Sequence, residues 1–107
     1  MLIYQIKLPV EQDADAFATF MRETYFPAIH RGATRIGQII NLILLQGTNG
    51  NLANDFFLHL DWNGLAGEDI NMMIRIEDDD INQKFRSFGG RIENLGTYEK
   101  VASLDNA

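Results

Sequence analysis

The 107-residue chain contains no cysteine. Disulfides, thiolate-bound metals, cysteine nucleophiles and cysteine-ligated iron–sulfur clusters are thereby excluded. Basic residues are also scarce: nine Lys plus Arg stand against fifteen Asp plus Glu, a net charge of −6 with neutral histidines. A surface that tracks phosphates needs the opposite balance, so no nucleic-acid partner is expected. The longest apolar run, Leu42-Ile43-Leu44-Leu45, falls far short of the ~20 residues that span a bilayer, so no membrane partner is expected either. Met1 leads into Leu2-Ile3-Tyr4-Gln5-Ile6 without a basic leader, and a cytoplasmic location is the expectation. No Gly-rich phosphate loop, H-E-x-x-H, G-x-S-x-G or aromatic RNP1 pattern occurs.

What remains is a chain with 46% hydrophobic and 22% charged residues, a composition that reads as one globular domain over 1–107. Leu2 to Leu8 alternates as a strand, with Leu2, Tyr4, Ile6 and Leu8 on one face. Pro9 ends it, and Asp13 is placed to cap a helix with Asp15 in its first turn. Ala14, Phe17, Ala18, Met21, Thr24, Tyr25 and Ala28 make an apolar stripe at helical spacing. Pro27 disfavours helical geometry at residue 26, which predicts a break or kink near Phe26 and a short turn to His30 and Gly32.

Ile36 to Gln46 reads as a second strand that is apolar on both faces: Ile39, Ile43 and Leu45 on one, Ile40, Leu42 and Leu44 on the other. Turn residues Gly47 to Asn51 join it to a third strand over Asp55 to Trp62. Met72 to Ile76 fits either a short strand or a helical turn. Asp80 is the expected cap of a second helix carrying Ile81, Phe85 and Phe88, with Gly89-Gly90 as its stop. Ile92 to Ser103 reads as the last strand.

Strand, helix, strand, strand, helix, strand is the ferredoxin-like βαββαβ plan of the α+β class, an antiparallel sheet with its helices on one face. The other face of such a sheet is ordinarily polar. Here the second strand is apolar on both sides, and the economical cover for the second face is another copy of the chain. A homodimer is therefore expected. This unit, with its bifacial apolar sheet and the segment Phe17 to Met21 through Tyr25-Phe26-Pro27-Ala28, resembles the dimeric α+β barrel proteins. These include the antibiotic-biosynthesis monooxygenase-like, EthD-like, stress-responsive barrel and NIPSNAP-like groups. The resemblance implies two sheets packed face to face and a small-molecule pocket between each sheet and its helices. The activities it implies include cofactor-independent oxygenation or isomerisation. It carries over no catalytic residue and names no cofactor.

Four residues are the candidate ligand-binding set: Tyr25, His30, His59 and Trp62. His30 follows the helix break, where a histidine serves as an axial ligand in some haem proteins or simply satisfies helix carbonyls. His59 lies mid-strand between apolar neighbours, as a general base or as a hydrogen-bonded structural residue. Trp62, Tyr4 and Tyr25 are aromatic walls with a polar tip, a type that lines both pockets and cores. His59 and Trp62 have opposite strand parity, so one pocket holding both requires a bulge near Asp61. Arg31 and Arg35 could clamp an anion, or be solvated loop charges. Glu77-Asp78-Asp79-Asp80 lacks the spacing of a calcium loop and reads as a helix N-terminus, so no metal is assigned. A small, largely apolar ligand is the expected partner. The alternatives are a non-catalytic ligand-sensing module and a purely structural dimer.

Overall fold

The computed structural model describes residues 1–35, 37, 40–62 and 78–104, the side chains of residues 51 and 62 excepted. The expected element at Met72 to Ile76 and residues 36, 38 and 39 of the expected second strand lie outside that range. The fold is α+β. Strands β1 (Leu2–Lys7), β2 (Ile40–Gln46), β3 (Asp55–Trp62) and β4 (Arg91–Thr97) form one antiparallel sheet in the order β2-β3-β1-β4. Helices α1 (Ala14–Phe20), α2 (Phe26–Arg35) and α3 (Asp79–Ser87) supply the layer on one side. Because β3 is antiparallel to both β1 and β2, those two run parallel with β3 between them.

The core follows strand parity. Leu2 and Ile6 of β1, Ile40 of β2, and Phe56, Leu58 and Leu60 of β3 point to the helices and are buried. Phe17, Phe20, Met21, Ile29 and Ala33 meet them from the long helical rod, and Phe88 from the end of α3. Phe17 is the hub: its ring centroid lies 4.9 Å from Phe56, 5.2 Å from Phe88 and 6.1 Å from Phe85. Such tilted and edge-on pairs add to area burial because ring edges meet ring faces of opposite charge.

Four sequence expectations are corrected. Of the break or kink expected near Phe26, the break is absent, although the helix is irregular just before that residue. The backbone widens into a π-helical segment, Met21–Tyr25, in which the Phe26 N–H donates to the Met21 carbonyl, and α2 continues from Phe26 to Arg35. A proline lacks the N–H that an α turn requires and crowds the carbonyl four residues back; the wider turn just before it removes both demands. His30 and Gly32 are therefore helical, not in a turn. The expected second strand from Ile36 is interrupted at Gly37, where α2, running to Arg35, is closed by the Gly37 N–H on the Thr34 carbonyl at 3.0 Å; the strand as described spans Ile40–Gln46. The second helix is capped by Asp78, not Asp80: its carboxylate accepts from the N–H groups of Asp80 (2.9 Å) and Ile81 (3.4 Å). The last strand ends at Thr97, not Ser103. Its one strand partner among the described residues is β1, and the pairing runs out where Met1 and Tyr98 exchange terminal bonds of 2.7 and 2.9 Å.

Other expectations match. Asp13 caps α1, accepting from the N–H groups of Asp15 (3.0 Å) and Ala16 (3.1 Å). Gly89, at φ +69°, ends α3 in the left-handed conformation that favours glycine. β4 contains the sheet's bulge. Its register with β1 shifts between Ile3 and Tyr4, Gly96 takes φ +97°, and the Asn94 carboxamide accepts from the Gly96 N–H at 2.8 Å.

Candidate functional site between sheet and helices

The helix layer does not fill all the space above the sheet. A cavity of about 180 Å³ lies between them, floored by Tyr4 and Ile6 of β1 and by Leu58 and Leu60 of β3. Tyr25 and Ile29 from the helical rod and Phe85 from α3 form its walls, and Ile92 of β4 lies at its edge. Strand parity brings Tyr4 to the helix side, in line with Leu2 and Ile6. Tyr25 arrives differently: it is the last residue of the π-helical segment, and its ring stacks on Phe85 with centroids 4.6 Å apart and planes 23° apart.

The lining is apolar except for two phenol groups. Neither hydroxyl has a hydrogen-bond partner among the described residues, and no side-chain polar atom there is both sealed from solvent and unsatisfied. Burial pushes the Tyr25 phenol above its ordinary value, and the neighbouring Tyr4 phenol raises it further. Burial raises Tyr4 as well. Both causes disfavour the tyrosinate, so at neutral pH both groups are neutral donors. The described lining contains no carboxylate, imidazole or amine. To a ligand it offers hydrocarbon surface, stacked rings and two O–H groups.

The sequence candidates do not share this cavity. Tyr25 lines it. His59 is on the opposite face of the sheet, half-buried between Ile43 of β2 and Ile3 of β1 in the register, where it borders a shallow groove with Asp61 and Thr97. His30 is exposed on α2, beside an outer groove formed with Arg31, Phe26 and Ile40. Trp62 pairs with Ile40 at the end of β3, and that strand keeps its register through Asp61. The bulge that would have joined His59 and Trp62 is thus absent from β3, and the irregularity sits in β4 instead. Among the described residues, no cluster of acidic or histidine side chains could hold a metal, and no helix is long and apolar enough to cross a membrane.

Tyr4, Ile29 and Phe85 are cavity residues that the candidate set omitted. Two of them had a signal. Tyr4 is the single polar-tipped residue on the inward face of β1, and Phe85 sits on the apolar stripe of its helix. Compared with protein-family models, with curated proteins and with solved structures, the chain matches none.

Proposed function

We propose that the chain is a ferredoxin-like, dimeric α+β barrel protein that binds a small, largely apolar molecule in the cavity between its sheet and its helices. The cavity carries this reading: about 180 Å³ of space, walled by hydrocarbon and aromatic side chains, with two tyrosines among them. Ligand sites of this kind are concave, mostly apolar and furnished with few polar groups. The strand order supports the fold assignment, because parallel β1 and β2 with β3 inserted between them is the split βαβ arrangement. The open face supports the dimer. Ile43, Leu45 and Phe57 remain 49%, 48% and 36% exposed there, on the side of the sheet the helices leave bare. Contiguous exposed apolar surface of that kind marks an interaction site.

The test is methyl and aromatic NMR of the isotopically labelled protein during titration with toluene and with indole. Saturable shifts centred on Ile29, Leu58 and Leu60 are the expected result. Shifts confined to Ile43 and Leu45, or no saturable shift with either compound, overturn the assignment of this cavity as the ligand site.

A further inference from the structure

We propose that the Tyr4 and Tyr25 hydroxyls act as a paired donor site for one carbonyl oxygen, so that the cavity selects a neutral, single-ring aromatic carbonyl compound. The inference rests on the reading of the cavity as a ligand site and adds the chemistry that the ligand must carry.

Size sets the first limit. An apolar cavity of about 150 Å³ holds a benzene molecule. The 180 Å³ here accommodates one ring with a short substituent. The walls set the second. Tyr25 stacked on Phe85 at 4.6 Å, with Ile29 and Leu60 nearby, presents rings and hydrocarbon to a flat apolar ligand. The third limit is polar. Two tyrosines from different elements line one apolar space, and their hydroxyls have no hydrogen-bond partner among the described residues. A carbonyl oxygen has two lone pairs and accepts from both, leaving neither hydroxyl unmatched. A purely hydrocarbon ligand would cover these groups without replacing the water that hydrates them. A carboxylate would enter an apolar space whose described lining holds no cation, at a large desolvation cost.

The backbone is consistent with a built site. Tyr25 stands at the end of a π-helical segment, and such segments are frequent at functional sites because they re-aim a side chain that a regular helix would direct elsewhere. Both phenols stay protonated well past neutral pH, which keeps them donors.

The experiment compares three probes of similar shape: acetophenone, its methylene isostere α-methylstyrene, and benzoate. Each is titrated by NMR into wild type, Tyr4→Phe, Tyr25→Phe and the double Phe variant, and the near-ultraviolet dichroism of each variant checks its packing. Acetophenone is expected to bind wild type more tightly than α-methylstyrene, and benzoate not to bind. Each single Phe variant is expected to lose about two- to tenfold in acetophenone affinity, the value of one neutral hydrogen bond, with α-methylstyrene binding unchanged or improved. Equal binding of acetophenone and α-methylstyrene, unaffected by either Phe substitution, overturns the paired-donor site but leaves the cavity standing as a ligand site. Saturable binding of benzoate at Ile29 and Leu60 overturns the neutral selectivity. Failure of all three probes to bind overturns the cavity reading itself, and this inference with it.

Discussion

If the open face of the sheet joins two copies, charging it must separate them without unfolding either. The perturbation is the double substitution Ile43→Lys/Leu45→Lys. Both residues lie on the edge strand β2, at 49% and 48% exposure in the single chain. Fully burying such a side chain contributes roughly 1.5–3 kcal/mol, so the half left exposed represents about 0.7–1.5 kcal/mol each. An interface about a twofold axis uses every contact twice. Four side chains per dimer then remove about 3–6 kcal/mol of apolar burial, before the cost of desolvating four ammonium groups of like charge. That weakens dimerisation at least about a hundredfold.

Within one chain the same change costs little. Lysine is well tolerated on edge strands, and its hydrocarbon stem can lie along neighbouring apolar surface such as Phe57, the cross-strand partner of Leu45. The fold of the double variant should therefore lose no more than about 1 kcal/mol. Sedimentation equilibrium over a hundredfold concentration range is the assay. Wild type is expected at twice the 12.2 kDa chain mass and the variant at the chain mass. Thermal melting adds a second readout: the wild-type midpoint should rise with protein concentration and the variant's should not, because only the former couples folding to association. A wild-type chain that sediments as a monomer throughout refutes the dimer. A variant that stays dimeric shows that the interface is not this face.

Three further outcomes are expected. Phe17→Ala removes the ring at the centre of the aromatic cluster, 1% exposed and against Phe56, Phe85 and Phe88, and should cost about 3–5 kcal/mol in urea denaturation; a loss under about 1 kcal/mol would mean that the site collapses around the gap. Asp78→Ala deletes the two cap bonds of α3 and should cost about 1 kcal/mol, whereas Asp80→Ala, which removes no cap, should cost less; the reverse order would return the cap to Asp80. The Tyr25 and Tyr4 phenols titrate above 10.0 in the folded chain, so the unfolded chain releases these protons first as pH rises, and the stability they hold is complete below pH 10 and is lost as pH climbs through the folded values. Tyr25→Phe should flatten that alkaline decline, and an unchanged slope would remove the burial argument for this phenol.

Period-two and helical patterns made most of the fold legible. The inward face of β1, the extent of β3, the Asp13 cap, the stripe of Ile81, Phe85 and Phe88, and the Gly89 stop all rest on contacts within a few residues, which local pattern reports. The errors arose where a distant partner decides. The end of β4 is set by where β1 begins, and nothing in Tyr98 to Ser103 records that. Asp78 and Asp80 are both good caps, and which one serves depends on where the helix packs. The resemblance to barrel dimers implied a small-molecule pocket between sheet and helices; the structure has a cavity between them, and its use as a ligand site is the proposal. The choice of pocket residues followed polarity instead, and took in His59 and His30, which stand on other surfaces.

The helix around Pro27 shows why the sequence displays only part of the reason that Tyr25 lines the cavity. From sequence, proline at position 27 means a lost hydrogen bond and a ring in the path of an earlier carbonyl, and a break is the simplest relief. Widening a single turn is the alternative, and it depends on a tertiary gain that sequence does not display. Here that gain is visible. Carrying the helix on through Pro27 lets Ile29 and Ala33 bury against the sheet at 4% exposure each, and large apolar burial of this kind outweighs a poorer turn. A break at Phe26 would have freed that segment and left the sheet beneath it uncovered. The π turn therefore has two consequences at once: it keeps the cover over the sheet, and it leaves Tyr25 stacked on Phe85 at the wall of the cavity. The irregularity that the proline demands is thus taken up beside the cavity, in the turn that carries one of its two polar groups.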